Sequence, residues 1–166
     1  MHMRRILLPG LVAAVSLTLS ACGFSPMHAR TSPAGGLSDI RVETGSERID
    51  FLLQEALLDN MGARGADGPY VLRTETEMRS TGLGIGADAI VRRFALDLRV
   101  NYAVFRDGQT DPILQGSATG QASYDLPSSV YASYVAEREA AERAAEVAAE
   151  RITVQIARAM HRAESQ

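Results

Sequence analysis

The chain has 166 residues, 46% of them apolar, with 17 basic and 20 acidic side chains for a formal net charge of −3. This length suits one packed core and is short for two, and the acidic balance argues against a nucleic-acid partner, which needs a basic stripe. A single cysteine excludes a disulfide framework and a cysteine-based zinc site. All 17 basic residues are arginine, and 25 residues are alanine, a paired bias that reads as codon usage.

The N-terminus reads as a bacterial secretory signal. Arg4 and Arg5 precede an apolar run from Ile6 to Leu19, which is too short to span a bilayer and is broken by Pro9-Gly10. The only cysteine follows at once, in Leu19-Ser20-Ala21-Cys22, a sequence that matches the bacterial lipobox. Residues 1–21 are therefore expected to be cleaved, leaving Cys22 to carry a covalent diacylglyceryl and N-acyl lipid. Several acyl chains hold a protein firmly on a membrane without a spanning helix. Gly23, in place of Asp, points to the outer membrane. Cleavage leaves 15 basic against 20 acidic residues, a net −5. Residues 22–38, rich in Pro, Gly and Ser, read as a lipidated tether.

A single domain is expected over residues 39–162, followed by a short tail at 163–166. Asp39 to Glu43 form a short strand. Gly45-Ser46 read as the cap of a helix whose apolar residues Ile49, Leu52, Leu53, Ala56, Leu57 and Met61 fall at helical spacing and which stops at Gly62. From Tyr70 the period becomes two. Leu72, Thr74, Thr76 and Met78 alternate with Arg73, Glu75, Glu77 and Arg79. A cleaner strand follows, with Phe94, Leu96, Leu98, Val100, Tyr102 and Val104 on one face and Arg93, Asp97, Arg99 and Asn101 on the other. Asp107-Gly108 supply a turn. In the next strand, from Ile113 to Tyr124, the face bearing Leu114, Gly116, Ala118, Gly120, Ala122 and Tyr124 is built mainly from small residues.

The last element is a long helix from about Ser129 to His161, with an inward stripe of Tyr134, Ala141, Ala145, Ala148, Ile152, Ile156 and Ala159. Small residues on both helix and strand predict that this helix lies directly on the last strand. The expected architecture is α+β and elongated: a four-stranded mixed or antiparallel sheet with two helices on one face, in the order β-α-β-β-β-α. The other face, carrying Arg73, Glu75, Asp97 and Arg99, is left for solvent or a partner.

No catalytic constellation can be assembled, and an enzyme is not expected. Histidines occur only at positions 2, 28 and 161, without ligand spacing, so no metal site and no histidine-assisted nucleophile is expected. Glu75 and Glu77 share a face with Arg73 and Arg79 and read as ion-pair partners. Gly82, Gly84 and Gly86 look like a nucleotide loop but precede a strand, whereas a dinucleotide fingerprint opens a helix.

The opening Cys22-Gly23-Phe24-Ser25-Pro26-Met27-His28, the helix ending Asn60-Met61-Gly62, the strand Arg93 to Tyr102 and Tyr124-Asp125 before the terminal helix together resemble alphaproteobacterial LptE, the lipopolysaccharide-assembly lipoprotein family. The resemblance implies a non-catalytic subunit that plugs and helps assemble the outer-membrane barrel LptD and assists insertion of lipopolysaccharide into the outer leaflet. The family's lipopolysaccharide contacts near the loop before the third strand fall on Arg92 and Arg93. Its second basic region, at the start of the terminal helix, has no counterpart in Ser128 to Tyr134. The alternative is another outer-membrane lipoprotein that binds a small ligand or an envelope partner, which a closed apolar pocket between sheet and helices would favour.

Overall fold

The structure, a computed structural model, describes residues 36–63, 68–83 and 92–165. The signal segment, Cys22 and the glycines at 84 and 86 lie outside the described residues. After a single 3₁₀ turn at Leu37–Asp39 the elements are β1 (Ile40–Glu43), α1 (Arg48–Met61), β2 (Tyr70–Gly82), β3 (Arg93–Arg106), β4 (Pro112–Asp125) and α2 (Val130–Glu164). The sheet order is β1-β2-β3-β4. β1 pairs with β2 in parallel and the other pairs are antiparallel, so the sheet is mixed and the fold is α+β.

Helix α1 is capped by Glu47 rather than by Gly45-Ser46. The reason is Asp50, three residues on, whose Oδ2 accepts the Glu47 backbone N–H at 2.9 Å and so satisfies a donor that the helix start would leave orphaned. Gly45 serves a different purpose. A Cβ there would overlap the Asp50 carboxylate, so glycine lets the chain pass close to it. The other Asp50 oxygen accepts from Thr76 Oγ1 of β2 at 2.7 Å, which fastens the helix start to the sheet. At the far end Gly62 takes φ of 62°, with Gly62 N–H donating to Asp59 O and Ala63 N–H to Leu58 O, the two bonds of a Schellman stop.

The core forms where the apolar faces meet. Leu53 and Leu57 of α1, Leu72 of β2, Leu96, Leu98 and Val100 of β3, and Ala140, Ala144, Ala148, Ile152 and Ile156 of α2 are fully buried. Helix α2 lies on β4 as its small residues predict. A Cβ on Gly120 would overlap the Ala144 carbonyl oxygen and lie 3.0 Å from the Ala148 nitrogen. The buried stripe differs from the expected one at its start. Ala140 and Ala144 are buried, and Tyr134 is 56% exposed. Arg143 reaches Ser123, only two residues before β4 ends. The thirteen helical residues before Arg143 span about 20 Å, while those two strand residues span about 7 Å. The first turns of α2 therefore overhang the sheet and have little to bury Tyr134 against.

Candidate functional site

Alternation places Arg73, Glu75, Glu77 and Arg79 of β2 and Arg93, Asp97 and Arg99 of β3 on the sheet face opposite the helices. Its charges are organised. Arg73 Nε is 3.0 Å from Glu43 Oε2 of β1, and its guanidinium lies 4.9 Å from the centre of the Phe105 ring. Arg41 bridges Glu43 at 3.3 Å and Asp107 at 3.1 Å. Gln121 Nε2 donates to Asp97 Oδ1 at 2.5 Å. Arg79 pairs along its own strand with Glu77 at 2.6 Å, although the register sets it opposite Asp97. Among the described residues the side chains of Glu75 and Arg99 make no hydrogen bond or ion pair.

Of the four residues expected to face a partner, the structure brings Arg73 and Glu75 to one shallow groove of about 530 Å³, which Asn101, Ala103, Phe105 and Gln115 also line. Asp97 and Arg99 lie on the same face but are not among the residues lining that groove. Sequence reasoning missed the apolar end of this face. Val71 has the parity of the charged row yet is only 3% exposed, because it sits in register between Arg41 and Phe105. The signal was available in the β-branched Val71 and aromatic Phe105 interrupting a polar row.

The second region is the end of the sheet where β2 stops and β3 begins. Arg93 grips Asp125, its register partner, through Nε at 2.8 Å and Nη2 at 3.2 Å, a two-point fork. The hydrogen bond from Arg93 holds the Asp125 carboxyl below the usual carboxylate range, and the same bond raises the Arg93 guanidinium. The Arg92 carbonyl accepts from Leu126 N–H at 2.7 Å. Behind Arg93, Phe94 stacks on Tyr124 with ring centres 5.6 Å apart, and the Tyr124 hydroxyl lies 3.0 Å from Ser80 Oγ. Around this end Leu83, Leu126, Val130, Tyr131 and Tyr134 are exposed, Val130 at 88%. Arg48 Nη1 of α1 donates to the Tyr134 hydroxyl at 3.2 Å and brings a third arginine to the rim. The arrangement can offer guanidinium groups beside exposed aromatic and aliphatic surface.

Among the described residues no group of His, Cys, Asp and Glu is placed to hold a metal, and no helix is long and apolar enough to cross a membrane.

In solved structures the same fold recurs in bacterial lipoproteins. A lipoprotein from Caulobacter crescentus CB15 is 25% identical with a TM-score of 0.67, covering 76% of this chain and 93% of that one. The rare lipoprotein B of Shewanella oneidensis is 17% identical with a TM-score of 0.58, covering 75% and 98%. A minor lipoprotein from Acinetobacter baumannii is 22% identical with a TM-score of 0.55, covering 73% and 91%. The chain matches no curated protein in sequence. The family model for LptE, lipopolysaccharide-assembly, matches residues 37–156, which includes every strand and most of both helices. The chain belongs to the LptE lipopolysaccharide-assembly family.

Proposed function

We propose that this lipoprotein is anchored by acylated Cys22 to the periplasmic side of the outer membrane, plugs an LptD-like barrel, helps assemble it, and assists insertion of lipopolysaccharide into the outer leaflet. The family match over residues 37–156 carries this reading. Two features of the site support it. A face whose charges are mostly paired, in front of a filled core, suits a rigid plug in a polar barrel lumen, because paired charges tolerate a wet interface without rearranging. Guanidinium groups beside exposed apolar side chains suit an amphiphile with phosphate on an acyl base, and guanidinium forks match phosphate geometry. Arg92 and Arg93 are the candidate contacts, with Arg93 exchanging its fork between Asp125 and the ligand. The seam between helix and sheet is closed by Gly120 against Ala144, which disfavours the small-ligand alternative.

The test is detergent extraction of the tagged full-length protein from its own envelope. Stoichiometric recovery with a large outer-membrane barrel is expected. Recovery only as a free monomer would overturn the assembly role, and a mature N-terminus without acyl mass on Cys22 in mass spectrometry would overturn the anchor.

A further inference from the structure

The two edges of the sheet are protected differently. β1 is four residues long and carries Arg41 and Glu43, and shortness and charge are two common guards against strand addition. β4 has neither. It runs for 14 residues as an edge strand, and between Pro112 and Tyr124 no side chain is charged. A long uncharged edge presents a row of free N–H and C=O groups that another strand can bind.

Helix α2 supplies what the strand lacks. Arg143 Nη2 donates to Ser123 O at 3.3 Å, Arg151 Nη1 to Thr119 O, and Gln155 Nε2 to Ser117 O at 3.4 Å. All three acceptors are odd-numbered, the parity whose backbone groups face away from β3 in an antiparallel ladder. The donors are four and eight residues apart on the helix, so they recur on one side of it. They reach the edge because Gly120 lets the α2 backbone settle onto β4. Glycine in the strand and arginine on the helix are thus two parts of one arrangement.

We propose that α2 is an edge guard: Arg143, Arg151 and Gln155 occupy three outward acceptors of β4, at Ser123, Thr119 and Ser117, and hold the helix down, and loss of these donors opens β4 to pairing with the β4 of a second copy. The partner follows from the strand itself, since an uncharged row meets no repulsion from its own duplicate. With the donors in place the middle of the edge, from Ser117 to Ser123, has three of its outward acceptors taken and the helix held against it. Without them the helix lifts more often and the edge is free. The proposal is independent of the assembly role.

The full-length chain, expressed alone and purified in mild detergent, is incubated below its melting temperature and sized by light scattering over a hundredfold concentration range. Wild type is expected to stay monomeric, and Arg143→Ala/Arg151→Ala to form oligomers whose fraction rises with concentration. Adding Thr119→Pro removes one outward N–H, a change that edge strands tolerate, and is expected to return the double variant to monomer. A parallel pair, Arg143→Met/Arg151→Met, keeps the aliphatic stems and helix propensity and gives the answer if the alanine pair fails to fold. Oligomerisation of wild type, a donor-less pair that remains monomeric, or oligomers indifferent to Thr119→Pro would each overturn the guard.

Discussion

Gly120 of β4 touches the backbone of Ala144 in α2, with no room for a Cβ between them. Ala118, 6% exposed, and Ala145, 1% exposed, belong to the same core and neighbour these residues along strand and helix. Helix and strand meet here through backbone and methyl groups, so their separation is fixed by residue size. Adding volume can be accommodated only by moving the helix.

Gly120→Ala is therefore expected to destabilise by about 1–3 kcal/mol, and Ala118→Leu or Ala145→Leu by a similar amount, through overpacking. Chemical denaturation checks this. An unchanged midpoint for all three variants would mean that the seam yields easily.

Asp50 is 4% exposed and serves both the start of α1 and Thr76 of β2. Asp50→Ala removes a helix cap and strands the Thr76 hydroxyl, with an expected loss of about 1–3 kcal/mol. Thr76→Val keeps the cap and is expected to cost less. Equal losses for the two would show that the cap contributes nothing.

These two sites differ in how they could be read from the sequence. The Gly116, Ala118, Gly120, Ala122 alternation is a local pattern, and the helix that covers it is equally small-sided, so the contact was legible. The capping role of Asp50 was also legible in principle, as an acidic residue at the third helical position. Gly45-Ser46 obscured it, because they resemble a cap and only the folded chain shows Gly45 yielding space to the Asp50 carboxylate. The phase of the α2 stripe was ambiguous for another reason. Alanines at 140, 141, 144, 145, 148 and 149 give two adjacent faces the same apolar character, and periodicity cannot choose between them. Which faces of α2 touch β4 is decided by Gly120, a residue on another element. Partners such as Glu43 for Arg73 and Asp107 for Arg41 depend on parallel pairing of β1 with β2, which no local signal announces.

The Arg93–Asp125 fork predicts an acid dependence. Asp125 binds its proton less readily in the folded chain than in the unfolded one. Any stability it adds is therefore complete above the unfolded carboxyl value, about 3.9, and is lost as pH falls through the lower folded value. Arg93→Gln is expected to move the Asp125 carboxyl back up toward that value, read by NMR titration of the carboxyl carbon. An unmoved titration would show that Arg93 does not hold it. The fork is exposed to solvent, so added salt is expected to narrow the difference between wild type and variant.

The outward sheet face gives the prediction closest to function. If a barrel wall surrounds this domain, photo-crosslinking side chains at Glu75, Asp97 and Arg99 should each capture one large membrane protein in intact cells. These positions are spread over β2 and β3 on one face, so capture at all three requires a partner that covers the face rather than touches its rim. Charge reversal separates contact from architecture. The side chains of Glu75 and Arg99 make no hydrogen bond or ion pair among the described residues, so Glu75→Arg and Arg99→Glu are expected to leave the stability within about 0.5 kcal/mol of wild type. Weakened barrel recovery with unchanged melting would place the partner on this face. Undiminished recovery with both variants, together with silent crosslinkers, would instead leave the face to solvent and shift the search to the exposed rim around Arg93 and Tyr134.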